Sequence, residues 1–293
     1  MTTMMRICFI LVLIFCFVFS ACGNKTENIP GNTGETTDPG KTDPENPVLG
    51  QYDYAAHFVD IPPVIDGKGD DSAWAKAEWK PIDQVWLGGG NASQSNLTPP
   101  PEGAYSGRFK IVWTEDRLYY LAEIKDTYLS LTRIDTPYND IYLDDCLELF
   151  INEDGLGGLH VDNNNAFAYH MSYDGVHAMD YMSSINYIAR NHHVKYKIGN
   201  LDLPNKKSVD GSNVYTWEIE MKIFNKNYPV NGDVNYIPEK LVKNKMMGFA
   251  VAYCNAGASN KREYFMGSMF IDGADKNQAY RNADVFAKLY LIK

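Results

Sequence analysis

The sequence predicts an all-β fold, an antiparallel sandwich with long loop insertions and few short helices. Three observations predict it. From about Tyr52 onward the dominant hydrophobic period is two. The segments with that period are rich in β-branched and aromatic residues and are bounded by Gly, Asn, Asp or Pro. Helical patterning is confined to two short stretches, Ser72–Glu78 and Glu239–Asn244. Many short strands punctuated by turns, in a chain with no internal repeat, read as one sandwich domain.

The chain opens on an export signal. Arg6 supplies the positive start, and Ile7 to Ala21 is an apolar run too short to span a bilayer. It ends in Phe19-Ser20-Ala21-Cys22, which resembles the bacterial lipobox with Phe19 in place of the usual Leu. That resemblance implies cleavage before Cys22 and acylation of Cys22, so residues 1–21 are expected to be a lipoprotein signal peptide. Residues 22–51 are rich in Gly, Thr, Pro, Asn, Asp and Glu, with scattered apolar residues. Such a segment buries too little surface to offset its chain entropy. It is expected to be a flexible tether with a reach of roughly 30 Å. An anchor followed by a tether predicts a membrane-anchored lipoprotein at the outer membrane or cell surface, and Lys25-Thr26-Glu27 after the cysteine points outward.

Residues 52–293 remain for the folded domain. The formal charge is -10, and residues 1–21 carry Arg6 and no acid, so the mature chain is near -11. An acidic domain of this kind is a poor binder of nucleic acid or anionic lipid and suits neutral ligands or divalent cations. Of five cysteines, Cys8 and Cys16 leave with the signal and Cys22 is the acylation site. Cys146 and Cys254 stay; export permits a disulfide between them, and two free thiols are the expectation.

In chain order, Arg108–Trp113 and Leu118–Lys125 read as a hairpin around Thr114-Glu115-Asp116-Arg117. Leu87–Gly107, rich in Gly, Asn and Pro, reads as a long loop before it. Asp144–Asn152, Ala166–Tyr173, Tyr215–Ile223, Gly248–Cys254, Arg262–Phe270 and Val285–Ile292 read as further strands. Parity sorts their faces. Leu147, Leu149 and Ile151 share one face, and Asp144, Cys146, Glu148 and Phe150 the other. Phe167, Tyr169, Met171 and Tyr173 oppose Ala168, His170 and Ser172, and Phe249, Val251 and Tyr253 oppose Ala250, Ala252 and Cys254. The bulky faces are the expected core. The short, polar faces either floor a groove or meet water.

Four blocks in order resemble the family 9 carbohydrate-binding modules. They are Val64-Ile65-Asp66-Gly67 with Asp71-Ser72-Ala73-Trp74, Ile111 to Asp126, Asp144 to Asn152, and Tyr280 to Lys293. The resemblance implies a β-sandwich that binds an oligo- or polysaccharide, often with structural calcium. It implies a sugar clamped between two aromatic side chains, at positions held here by Tyr142 and Tyr280, where the best-known clamps use Trp. An aromatic face covers the apolar C–H face of a pyranose while the hydroxyls turn to polar groups. Glu148 matches a residue accepting from sugar hydroxyls, and its parity agrees. His170, Arg262 and Asn277 fall at or near further polar contacts, while a family glutamine is Ala252 here. Asp126 falls where the family holds calcium. Trp74, Trp113 and Trp217 are expected in the core; Trp79 and Trp86 could flank the groove, with packing favoured. The resemblance further implies xylan or cellulose as ligand and glycoside hydrolases as partners in the same system.

Three rival readings follow from the residues. Glycoside hydrolysis needs two carboxylates roughly 5–9.5 Å apart. Asp145 and Glu148 point to opposite strand faces, and Asp144 and Glu148 would stand about 13 Å apart along one strand. No catalytic pair is found within a strand; a pair between strands stays open, and no enzyme is expected. A haem-binding electron-transfer domain of the same sandwich class would need ligands from Met171, Met179, Met182, Met266, Met269, His170 or His177. The third rival is a structural surface lipoprotein with no ligand.

Overall fold

The computed structural model describes residues 52–133, 139–182, 186–201 and 213–293. Residues 1–51, where a signal peptide, an acylated Cys22 and a tether are expected, lie outside the described residues. The described residues all fall within one compact unit. Among them no helix is long and apolar enough to cross a membrane.

The strands are β1 (Tyr54–Phe58), β2 (Lys80–Pro81), β3 (Gln84–Leu87), β4 (Tyr105–Thr114), β5 (Arg117–Asp126), β6 (Cys146–Asn152) and β7 (Phe167–Ser172). They continue as β8 (Ala178–Met182), β9 (Asn186–Ala189), β10 (Val194–Gly199), β11 (Val214–Met221), β12 (Met246–Ala256), β13 (Arg262–Gly267) and β14 (Ala287–Ile292). Hydrogen bonding runs in the order β10-β11-β5-β4-β1-β14-β12-β6-β7-β8-β9. β13 and β3 add to β12, and β2 adds to β4. β1 is parallel to both β14 and β4, and so joins the two layers of an otherwise antiparallel sandwich.

The layers meet through aromatic side chains. Tyr120 of β5 stacks on Phe249 of β12 with ring centroids 5.3 Å apart. Tyr173 meets Trp217 of β11 edge-on at 4.7 Å. Trp113 is buried and donates its indole N–H to the carbonyl of Ile292, tying β4 to the last strand. The bulky faces read by parity are therefore the sandwich core.

The opposite faces are covered as well. Cys146, Glu148 and Phe150 are all buried. Trp86 roofs Phe150 at 6.1 Å and packs edge-on against Phe265, donating its indole N–H to the carbonyl of Met269. Trp86 is thus core. On the other layer Trp74 belongs to a smaller outer cluster with Val59, Ile65, Val112, Tyr119 and Leu121. Trp79 lies under the Arg108 guanidinium, 4.2 Å from its ring centroid.

The hairpin and every other strand read from the sequence are present, with shifted ends. Asp144 precedes β6 instead of starting it. Leu87 ends β3 and Tyr105–Gly107 belong to β4, so the predicted loop is shorter at both ends. Ser72–Lys76 forms a short 3-10 turn. Glu239–Asn244 is not helical, because its amides are spent elsewhere. Glu239 N–H donates to Ile223, Leu241 N–H donates to Glu115, and Asn244 takes a left-handed φ of 70°.

Candidate functional site

One cavity of about 300 Å³ opens on the outer face of the β12-β6-β7 layer. Tyr142, Tyr280, Glu148, His170, Arg262 and Asn277, all singled out from the sequence, line it together. Asp140, Tyr181, Tyr187 and Phe265 complete the wall. Neither proposed clamp tyrosine is buried in the core: both are half-buried against it.

Local chemistry fixes each tyrosine. Tyr142 sits on a 3-10 turn, Ile141–Leu143, that follows Asp140 in the left-handed region at φ 52°. The turn is pinned from both sides by carboxylates. Asp144 accepts from Thr132 Oγ1 and Arg133 N–H, and Asp145 accepts from Ser130 N–H and Ala256 N–H. The Arg262 guanidinium lies over the Tyr142 ring, 5.1 Å from its centroid. Tyr280 is carried by a loop closed by Arg281 and Asn282 amides donating to Gln278 O. His160 holds the same loop, with its Nε2 3.0 Å from Ala279 O. Burial pushes His160 down to about 4, so it is neutral and its Nε2–H donates. Tyr181 meets Tyr280 edge-on at 5.0 Å and Tyr187 at 5.8 Å, continuing the aromatic wall.

The polar floor comes from strand register. Glu148 of β6 is paired with His170 of β7 and with Ala252 of β12. Its Oε1 lies 3.2 Å from His170 Nε2 and accepts from the Cys254 thiol at 2.9 Å. Burial would raise this carboxyl, but His170, then Arg262 and the Cys254 thiol, hold it below the usual range. Burial likewise disfavours the His170 cation, and Glu148 more than offsets it, leaving the imidazole above its ordinary value. Glu148 Oε2 and Arg262 Nε have no partner in the protein although both are buried. Both atoms are shielded from water, although the side chains that carry them line the cavity. A residue acting as general acid in glycoside hydrolysis needs a raised pKa, and Glu148 is lowered.

Cys146 and Cys254 are free thiols, directly opposite each other on β6 and β12. His170 is spent on Glu148 and Ala168 O. Met171, Met179, Met182, Met266 and Met269 are all buried in the packed interior, which suits a gap-filling side chain and not an open haem face.

Asp126 ends β5 and is buried, accepting from Tyr128 N–H, Tyr253 O–H and Asn255 Nδ2–H. Burial pushes it up to about 7. Asp145 is pushed up well above the carboxylate range by burial and by Asp126 itself. The Ser130 hydroxyl nearby is buried without a partner, while its amide donates to Asp145. Two buried carboxylates, of which Asp126 disfavours ionisation of Asp145, beside a spare oxygen, fit part of the six to eight oxygen ligands typical of calcium.

The family model described as "Carbohydrate family 9 binding domain-like" matches residues 65–293. Two solved structures of a family 9 carbohydrate-binding module from Caldicellulosiruptor kristjanssonii share the fold. The complex with glucose is 20% identical with a TM-score of 0.53, covering 81% of this chain and 95% of that one. The complex with cellotriose is 19% identical with a TM-score of 0.53, covering 82% and 93%. A putative carbohydrate-binding protein from Bacteroides uniformis is 14% identical with a TM-score of 0.52, covering 81% and 97%. No curated protein matches the sequence.

Tyr181 and Tyr187 were not read from the sequence as site residues. They stand on β8 and β9, short strands beside the cavity that parity did not single out. The match over residues 65–293 spans the sandwich and the whole cavity wall, and the chain belongs to the carbohydrate family 9 binding domain-like family, whose modules are non-catalytic.

Proposed function

We propose that the cavity holds a segment of a plant-type β-glycan, a xylan- or cellulose-derived oligosaccharide, and leaves it uncleaved. One observation carries this reading. Glu148 and Arg262, each with a polar atom that has no partner in the protein, line the same cavity as Tyr142, Tyr181 and Tyr280. Polar atoms without partners serve hydroxyls, and aromatic faces serve the C–H faces of a sugar ring. The related modules seen with glucose and with cellotriose favour a glucan. Tyrosine in place of the usual tryptophan offers less stacking area, and Ala252 removes one polar contact, so selectivity should differ from the best-known clamps.

The domain would act as the capturing part of a surface lipoprotein, held by an acylated Cys22 through the tether and working beside glycoside hydrolases. Asp126 with Asp145 would hold a structural calcium, neutralising two carboxylates that burial otherwise protonates.

Affinity electrophoresis of the purified full chain through gels containing xylan, mixed-linkage glucan or soluble cellulose derivatives tests the ligand. Retardation by at least one gel, relieved by the matching oligosaccharide, is the expected result. Unchanged mobility in every gel favours the structural rival. For the anchor, Cys22→Ala should move the protein from membrane to soluble fractions, and unchanged membrane retention would refute acylation as the anchor.

A further inference from the structure

Beneath the cavity lies a cluster that shares only Glu148 with the carbohydrate site and adds two thiols that carbohydrate binding does not use. We propose that Cys146, Cys254 and Glu148 form a binding site for a soft divalent metal ion of the zinc and cadmium class.

The register creates the cluster. β6 and β12 are antiparallel neighbours with Cys146 directly opposite Cys254, and Glu148 is two residues along the same face. Both sulfurs and a Glu148 oxygen lie within 4.8 Å of one another, and all three residues are buried. Donors on one tetrahedral ion stand about 3.3–3.8 Å apart, given bond lengths of roughly 2.0–2.3 Å. Small side-chain rotations reach that geometry, and Cys254 Sγ is already 2.9 Å from Glu148 Oε1.

The surroundings support metal ligation as well. The Arg262 guanidinium lies 3.4 Å from Cys254 Sγ and donates to it. His170 backs the carboxylate at 3.2 Å and is itself oriented by Nδ1, 2.9 Å from Ala168 O. Outer partners of this kind orient a ligating carboxylate. Glu148 Oε2 is buried and has no partner within the protein. Two thiols select a soft ion and disfavour calcium or magnesium. Three protein ligands leave a fourth position, as in open zinc sites. The cluster is separate from the calcium proposed at Asp126, which has only hard oxygen donors.

The test uses no sugar, so its outcome is independent of the glycan reading. The full chain, with Cys8, Cys16 and Cys22 changed to serine, is reduced, freed of reductant and titrated with cadmium chloride. The readout is the ultraviolet thiolate-to-cadmium charge-transfer band. The proposal predicts saturation at one ion per chain and loss of the band in Cys146→Ser and in Cys254→Ser. It predicts affinity weakened by roughly 10–100-fold in Glu148→Gln. Circular dichroism confirms that each variant is folded, and Cys254→Ala supplies a second variant if serine disturbs packing. Absence of the band overturns the proposal, as does a band that survives both cysteine changes or an affinity unmoved in Glu148→Gln. So does purified protein, before reduction, in which both thiols are blocked as a disulfide.

Discussion

Each layer of the sandwich buries a glutamate on its outer face, and the two are treated in opposite ways. Glu218 of β11 is fully satisfied by the protein. Its carboxylate accepts from the amides of Asp66 and Gly67 at 3.1 and 2.8 Å, and from Trp74 Nε1 at 3.0 Å. Gly67 is required there. Its φ is +87°, and a Cβ would meet Gly199 N at 2.7 Å. Glu148 of β6 is equally buried, yet one oxygen has no partner and a cavity opens beside it. A buried carboxylate saturated by backbone and indole donors fastens a lid. One left half-satisfied between two basic groups is held ready for something that arrives.

The contrast is sharpened most strongly by Trp74→Ala, which removes the lid's anchor. Loss of a buried tryptophan and of its bond to Glu218 should cost about 3–5 kcal/mol. Chemical denaturation measures it, and a cost under about 1 kcal/mol would mean that this face is not packed as described. The two glutamates should then separate cleanly. Glu218→Gln should lose about 2 kcal/mol of stability through mismatched donors while sugar affinity stays level. Glu148→Gln should lower affinity by about 10–100-fold, measured per folded molecule, a change of roughly 1.4–2.8 kcal/mol. The reverse pattern would exchange the roles assigned to the two faces.

Acid should weaken the cavity side through His160. Its folded pKa is lowered to about 4 by burial, against an ordinary 6.5. The unfolded chain therefore binds more protons between those values, so the stability it contributes is present above about pH 6.5 and is lost as pH falls toward 4. The full effect is roughly 2–4 kcal/mol. His160→Gln keeps a donor for Ala279 O but cannot titrate. Melting temperatures of that variant should fall less steeply over this range, whereas an identical slope would clear His160 of the effect. A smaller change is expected from calcium removal. Chelation should lower the melting temperature by several degrees, roughly the equivalent of 1–2 kcal/mol for a domain of this size. Asp126→Asn should abolish the difference; equal melting with and without chelator would dismiss calcium at this site.

Much of this was legible beforehand, for two different reasons. Strand parity alone placed Glu148 and His170 on the face opposite Leu147 and Tyr169, and the register bears it out. Tyr142, Tyr280, Arg262 and Asn277 followed from family resemblance, because Tyr142 and Tyr280 lie far apart in sequence and no local period links them. What parity does not reveal is the cover on the polar face. Trp86 roofs Phe150 and packs on Phe265 through long-range pairing of β3 with β13, which leaves no local trace. β10 is different: Val194, Tyr196 and Ile198 alternate with Lys195 and Lys197, so its strand signal is present in the sequence. The parallel pairing of β1 arises from closure between two layers, and a five-residue strand does not encode its partner's direction.

The central claim is that the aromatic wall and the unpaired floor atoms together hold a sugar. The most direct measurement is calorimetric titration of the full chain with cellotriose and with xylotriose, repeated for Tyr142→Ala and Tyr280→Ala. Binding of at least one trisaccharide is predicted. Each substitution should weaken it by about one to two decades, from roughly 1–3 kcal/mol of lost aromatic contact, with unfolding midpoints close to those of the unmodified protein. Binding that persists at full strength in both variants, or its absence from a folded, unmodified protein for every β-glycan tried, would contradict the account.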